Sequence, residues 1–128
     1  MKRLLTLCLL ALALAPVAAT SASAACRVPN CWAAIAVNPT TRAWGYVYNH
    51  PTSASARRGA LAQCRGNCSR VTTFRNSCGA YAVANNGGWG WSSRYANRGA
   101  AQARALQECA RYNPGQGCRI RVWACTSR

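Results

Sequence analysis

Residues that could carry out acid–base chemistry are nearly absent from this chain. Its 128 residues include one acidic side chain, Glu108, and one histidine, His50, against 16 basic residues. A carboxylate pair for glycoside cleavage cannot form, and a Ser-His-Asp triad lacks its aspartate. His50 and Glu108 with nearby arginines could form a small ribonuclease-like site, so a secreted nuclease is kept as one alternative. We otherwise predict no catalytic residue and expect that the protein is not an enzyme.

The cysteines form the second chemically informative group. The sequence has nine of them, none in a Cys-x-x-Cys pair, and zinc sites normally use such close ligand pairs. We therefore predict no metal site, and no cofactor-binding motif is found either. An even set of cysteines in an exported chain favours disulfides, and Cys8 is excluded because it lies in the leader described next.

The N-terminus has the order of regions found in secretory signal peptides. A short basic start precedes an uncharged Leu/Ala run over residues 4–15, and an Ala-Ser-Ala cleavage pattern ends at Ala24. The apolar run is too short for a transmembrane anchor. We predict that residues 1–25 are removed and that residues 26–128 form one exported domain, periplasmic or extracellular, without an integral membrane anchor.

The exported part of the chain repeats itself. Residues 31–38 (CWAAIAVN) align with residues 78–85 (CGAYAVAN), and Trp44-Gly45-Tyr46 aligns with Trp89-Gly90-Trp91. Such internal similarity indicates two copies of one supersecondary unit. Further matches are Ala56 with Ala101, Ala60 with Ala105, Cys64 with Cys109, and Cys68 with Cys118.

Each copy is interpreted as strand, strand, helix, strand, with repeat one at 31–77 and repeat two at 78–128. Helices are predicted to begin near Thr52 or Ser53 in repeat one and near Asn97 in repeat two, because threonine, serine and asparagine are good N-caps. We expect an α+β domain in which the two tandem repeats form antiparallel sheet with both helices on one face. Repeat equivalence predicts the disulfides Cys64–Cys68 and Cys109–Cys118, while Cys78–Cys125 closes repeat two and Cys26–Cys31 uses the remaining pair.

These features resemble a catalogued bacterial family. The run WAAIAV at 32–37, the Ala-rich helix ending in cysteine, TFRNSCGA at 73–80 and the closing VWAC at 122–125 look like domain of unknown function 4189. The resemblance implies a small exported bacterial domain and brings no activity, cofactor or catalytic residues. In architecture only, the duplicated unit is similar to secreted beta-lactamase inhibitory proteins, which bind their target with a sheet face.

Aromatic and arginine side chains on the strands are the candidate binding residues. Strand alternation places Arg119, Arg121 and Trp123 on one predicted face of the last strand, and that face is expected to be exposed. For the aromatics of the two hairpins, core and surface positions both remain open. Large rigid rings beside forked guanidinium donors are typical of binding surfaces. The candidate binding residues are Arg119, Arg121, Trp123, Trp44, Tyr46, Trp89 and Trp91.

The net charge of +15 indicates an anionic partner. We expect a non-catalytic, strongly basic binding module of the inhibitor, immunity or effector type, with an acidic protein as partner. The alternative is a general polyanion binder for nucleic acid or an anionic envelope polymer.

Overall fold

Each repeat folds into its own three-stranded antiparallel sheet with one helix. The computed structural model describes residues 29–126, and the predicted signal peptide lies outside them. The strand orders are β2-β1-β3 and β5-β4-β6. In chain order the elements are β1 (Trp32–Val37), β2 (Trp44–His50), α1 (Ser53–Gln63), β3 (Arg70–Arg75), β4 (Cys78–Val83), β5 (Trp89–Tyr95), α2 (Arg98–Tyr112) and β6 (Arg119–Cys125).

Local capping fixes where both helices begin. The Thr52 hydroxyl accepts a hydrogen bond from the Ser55 backbone N–H at 3.0 Å, and the Ser55 hydroxyl oxygen accepts one from the Thr52 N–H. This capping box satisfies donors that the first helical turn leaves unpaired. Asn97 caps α2 in the same way, through the N–H of Ala100 at 2.8 Å. Across residues 29–126, no helix is long and apolar enough to cross a membrane.

The two sheets pack face to face, with the principal core between them. Alternation along β1 directs Ala33, Ile35 and Val37 into this core, where they meet Tyr81 and Val83 of β4. All five side chains are almost fully buried. Because the opposite face of each central strand is also covered, β1 and β4 are continuous apolar runs and do not alternate with polar residues.

The helices cover the two outer faces. In repeat one, Ala34 and Ala36 pack against Ala56 and Ala60 of α1. In repeat two, alanines of β4 pack against Ala101, Ala105 and Cys109 of α2. The α+β class, the antiparallel pairing and the repeated layout are confirmed. The helices are arranged differently from the prediction: they do not share one face, since each covers its own sheet and the layers run helix, sheet, sheet, helix.

Two glycines allow the helices to lie this close. A Cβ added at Gly45 would lie 2.3 Å from the Ala60 carbonyl oxygen, and one added at Gly90 would lie 2.2 Å from the Cys109 nitrogen. In the Trp-Gly-Tyr and Trp-Gly-Trp motifs, glycine therefore faces the helix backbone while the flanking aromatics face the other sheet. The rings therefore lie on the side of the other sheet, partly buried against the core, and not beneath the helices.

Strand register corrects the alignment of the repeats by one residue. Ile35 lies opposite Tyr46, and Tyr81 lies opposite Trp91, so Ile35 and Tyr81 are equivalent. The sequence alignment had set Ile35 against Ala82, which faces α2. Similar small residues on both sides of the strand hid the shift, because alanine occupies neighbouring positions in both copies.

Three disulfides join described cysteines in the pairs that repeat equivalence and closure of the second unit predict. They are Cys64–Cys68, Cys109–Cys118 and Cys78–Cys125. Cys31 is disulfide-bonded as well, but the predicted Cys26–Cys31 pairing includes Cys26, which lies outside the described residues. The first two bonds fasten each helix end to the strand that follows it, and the third joins β4 to β6.

Candidate functional site

A groove with aromatic walls runs between β2 of the first sheet and β6 of the second. We call it the β2/β6 groove; its volume is about 520 Å³. Alternation along β2 places Trp44, Tyr46 and Tyr48 in a row, with ring centroids 6.0 and 6.4 Å apart. Tyr48 is 44% exposed. The residues that line the groove are Trp44, Tyr46, Tyr48, Arg121, Val122, Trp123, Ala124 and Cys125.

The hairpin aromatics are neither core nor free surface. Trp44, Tyr46, Trp89 and Trp91 are partly buried and pack against the edge of the core between the sheets. One side of each ring thus supports the fold while the remainder stays accessible. The two alternatives left open by the sequence are both partly right.

A bulge in β6 separates residues that simple alternation placed together. Tyr81 lies opposite Val122 while its neighbour Ala82 lies opposite Ile120, so Arg121 is the extra residue. A bulge redirects side chains and inverts the alternation beyond it. The prediction that Arg119, Arg121 and Trp123 share one face is therefore wrong.

The three side chains have different surroundings. Arg119 pairs with Val83 and donates a hydrogen bond to the Asn85 side-chain oxygen at 3.0 Å. Trp123 lies opposite Ala80, on the side that packs against α2, where the Arg98 guanidinium lies 4.0 Å from its ring centroid. Arg121 borders the groove, and Trp123, 37% exposed, forms part of its rim.

The remaining two candidates line a second concavity. Trp89 and Trp91 meet edge to face, with centroids 5.8 Å apart, next to the exposed Tyr112 of α2. Glu108 borders the same depression, but its carboxylate pairs with Arg104 at 2.5 Å. This concavity is smaller, about 380 Å³, and it shares no lining residue with the β2/β6 groove.

Charge accumulates at one end of the β2/β6 groove. Arg42, Arg65 and Arg121 line a pocket of about 360 Å³ together with Trp44 and Gln63; we call it the arginine pocket. Glu108 is the chain's single acidic side chain and is already paired. No side-chain carboxylate of this chain is therefore left to neutralise these three guanidinium groups.

A buried hydroxyl lies within the field of two of these arginines. Tyr81 is fully buried between the sheets, and its hydroxyl has no hydrogen-bond partner among residues 29–126. Burial raises the pKa of Tyr81, and the positive charges of Arg42 and Arg121 partly oppose that rise. The phenol therefore stays neutral to a higher pH than an exposed tyrosine.

The two residues of the nuclease alternative lie in different surroundings. The Nδ1 atom of His50 is 3.3 Å from the Ser55 hydroxyl at the start of α1. Glu108 is held by Arg104 on α2. His50 lines a shallow pocket with Gln63, whereas Glu108 lines the concavity next to Trp89.

Sequence reasoning missed Arg42 and Arg65 as site residues and left Tyr48 out of the candidate set. Alternation along β2 puts Tyr48 on the same side of the strand as Trp44 and Tyr46, so the sequence contains a signal for that residue. Arg42 lies in a hairpin loop and Arg65 follows a helix end, and nothing in their local sequence sets them apart from other exposed arginines.

The chain has recognisable relatives. The family described as Domain of unknown function (DUF4189) matches residues 32–125. Among solved structures, the NMR structure of Rv1813c from Mycobacterium tuberculosis is similar, with 27% sequence identity, coverage of 98% of this chain and 97% of that chain, and a TM-score of 0.57. No curated protein gives a significant sequence match. The architectural likeness to beta-lactamase inhibitory proteins stays a prediction.

Proposed function

We propose that this chain, which belongs to the DUF4189 family, is an exported, non-catalytic binding module that docks an acidic protein in its β2/β6 groove. The observation that carries the proposal is the groove itself. It combines a row of accessible rings at Trp44, Tyr46 and Tyr48 with Arg121, which no side-chain carboxylate of this chain is free to neutralise. Aromatic residues and arginine are the side chains that most often dominate binding energy at protein interfaces.

Export is supported by two independent features. The N-terminal sequence has the regions of a signal peptide, and Cys64–Cys68, Cys109–Cys118 and Cys78–Cys125 are disulfide-bonded. Disulfides persist in oxidising compartments such as the periplasm or the extracellular medium. In such surroundings an inhibitor, an immunity protein or an effector would meet its target directly.

A non-catalytic role is supported by the scarcity of proton-transfer groups. The chain has one acidic residue and one histidine, and Glu108 and His50 contact different helices. We expect purified protein to cleave neither RNA nor DNA. Cleavage that is abolished by both His50→Ala and Glu108→Gln, in variants that still fold, would show instead that the protein is a nuclease.

The docking surface can be tested with paired variants. The partner is first captured from periplasm and culture medium on the immobilised mature chain and is then purified. Its affinity is measured for the wild type and for the variants Tyr48→Ala and Arg121→Ala. We expect each variant to lose about 2 kcal/mol of binding free energy while its melting temperature stays close to that of the wild type. Tyr112→Ala is the control, since Tyr112 is 67% exposed and lies on α2 outside the groove. Normal binding by both groove variants would contradict the proposed surface.

The distribution of arginines favours a second candidate, a general polyanion binder. Arg57, Arg58 and Arg111 are exposed on the helices, away from the residues that line the β2/β6 groove, and they would attract any anionic polymer. Polyanion affinity falls linearly on a plot of log K against log salt, because bound counterions are released. A shape-specific protein interface retains binding at high salt through its apolar contacts, so the slope distinguishes the two functions.

A further inference from the structure

The arginine pocket is built from three separate parts of the chain. Arg42 lies in the β1–β2 hairpin, Arg65 follows α1, and Arg121 is the bulged residue of β6. The first two belong to repeat one and the third to repeat two. The pocket therefore exists only when the two sheets are packed together.

Hydrogen bonds hold the two loops of repeat one to each other. The Asn38 side-chain amide donates to the carbonyl oxygens of Gly66 and Asn67, at 2.9 and 3.1 Å. The Asn38 carbonyl in turn accepts the N–H of Arg42 at 2.8 Å. The Cys64–Cys68 disulfide closes the loop that contains Arg65. The backbones that carry Arg42 and Arg65 are thus fixed before any ligand arrives.

The Arg42 side chain extends towards repeat two, which carries the third arginine of the pocket, Arg121. A Cβ at Gly87, in the β4–β5 hairpin, would lie 3.2 Å from an Arg42 guanidinium nitrogen, so the Arg42 side chain reaches across to the second sheet. The charges of Arg42 and Arg121 both act on the hydroxyl of Tyr81. Arg42 and Arg121 also line the same pocket, so both charges are available to one ligand.

We propose that the arginine pocket is a binding site for a tetrahedral oxyanion, the phosphate monoester group of a ligand. This inference rests on the proposed function and gives the chemical class of the acidic group that the β2/β6 groove receives. Arg42, Arg65 and Arg121 supply the hydrogen-bond donors, and Trp44 offers a ring face to the group that bears the ester.

The number of charges, and the three separate segments that carry them, favour this ligand over a carboxylate. A carboxylate has one negative charge and two oxygens in a plane, whereas a phosphate monoester carries about −1.5 to −2 at neutral pH and has three terminal oxygens. Guanidinium forks bind such oxygens in bidentate fashion. Three arginines that approach from three segments match a tetrahedral group, and a single carboxylate would leave most of their mutual repulsion in place.

The test is a titration of the folded mature chain with inorganic phosphate, followed by NMR of the arginine Nε–Hε groups and by calorimetry. Sodium acetate at equal ionic strength is the reference anion. We expect saturable shifts at Arg42, Arg65 and Arg121, and Arg121→Gln and Arg42→Gln should each weaken binding about tenfold or more, the size of a lost charged hydrogen bond. Arg57→Gln, which removes one charge from an exposed part of α1, should bind phosphate as the wild type does.

Two results would overturn the proposal. One is that phosphate and acetate shift the same arginines to the same extent, which is diffuse screening. The other is that Arg57→Gln weakens phosphate binding as much as Arg121→Gln. Should the glutamines unfold the protein, Arg121→Lys keeps the charge but not the fork, and the proposal requires it to weaken phosphate binding as well.

Two further arms identify the source of the ester. A phosphoserine peptide tests an ester carried by the protein partner, and phosphatidylcholine vesicles containing phosphatidic acid test a lipid headgroup. If the wild type binds one of these probes and Arg121→Gln does not, the proposal is supported and the source of the ester is identified. If the wild type binds neither probe, the proposal is overturned. The docking surface is judged separately: loss of captured partner in Tyr48→Ala, with no phosphate binding by the wild type, would leave the proposed function standing and remove the anion site.

Discussion

The two repeats use the same backbone plan but secure it differently at equivalent positions. At the far end of repeat two, Cys78 lies opposite Cys125 and the pair is a disulfide. At the same place in repeat one, Trp32 lies opposite Arg75, whose guanidinium is 5.7 Å from the ring centroid. A covalent bond in one copy thus corresponds to a cation–π contact in the other. The two copies share the register of the strands at this position but not the chemistry of the paired residues.

The grooves on the two sides of the domain differ in the same way. On one side, the Arg70 guanidinium covers the Trp89 ring at 5.3 Å from its centroid. On the other side, Trp44 occupies the position equivalent to Trp89, but the β6 bulge places Arg121 at the border of an open groove. One extra residue in β6 therefore leaves Arg121 beside an open groove on one side, whereas on the other side an arginine lies over the Trp89 ring.

Removal of the cross-links should show the largest difference between the repeats. Cys78–Cys125 closes a loop with a sequence separation of 47, and Cys64–Cys68 one of 4. On loop entropy alone, replacing both cysteines of a pair by alanine should cost about 4 kcal/mol for the first pair and about 2 for the second. Chemical denaturation measures both. Equal losses would show that native-state packing, and not the closed loop, sets the contribution of each bond.

The glycines under the helices should behave alike in both repeats. Gly45→Ala and Gly90→Ala each place a methyl group against helix backbone, and we expect each to lower the free energy of unfolding by about 3 kcal/mol. The control is Gly99→Ala in α2, where the nearest atom is 3.5 Å from the added Cβ. It should leave stability unchanged or raise it by up to about 1 kcal/mol. If only one of the two buried glycines is sensitive, the repeats pack their helices differently.

Tyr81 distinguishes the repeats through pH, because its equivalent, Ile35, cannot ionise. Burial raises the Tyr81 pKa, whereas the unfolded chain ionises at the usual value of about 10. The resulting stability is fully present below about pH 10 and is lost as the pH rises through the raised pKa of the folded state.

Tyr81→Phe should remove this alkaline loss, and it should raise stability near neutral pH by about 1 kcal/mol because an unpaired buried hydroxyl is deleted. Urea denaturation from about pH 8 to about pH 11 checks both effects. An unchanged alkaline slope in the phenylalanine variant would show that other groups cause it.

The smallest expected effect on stability compares the two grooves directly. Arg70→Ala uncovers Trp89 and should cost about 0.5–1 kcal/mol, the range for an exposed cation–π contact, with no change in partner binding. Arg121→Ala should leave the melting temperature nearly constant and weaken the partner. A loss of stability in Arg121→Ala equal to that in Arg70→Ala would mean that Arg121 also has a structural role.

Local chemistry was sufficient for the features that the sequence determined. Thr52 and Asn97 begin the helices because their side chains cap neighbouring N–H groups. The disulfides that fasten each helix end to the next strand follow from the repeated cysteine positions. The aromatic row at Trp44, Tyr46 and Tyr48 follows from strand alternation. Each of these signals depends on residues close together in the chain or on a comparison of the two copies.

Tertiary structure decided everything that depends on how the two sheets meet. The alanine faces of α1 and α2 fit one shared sheet face or two separate ones equally well, and only the packing of Ile35 against the second sheet selects the layered arrangement. The bulge at Arg121 inverts the alternation of side chains in β6, and no glycine or other sequence signal marks its position. Arg42 and Arg65 become neighbours of Arg121 only because that packing brings segments of both repeats to one pocket. Such contacts depend on how segments far apart in the chain pack together, and the hydrophobic periodicity of a single element does not report on that packing.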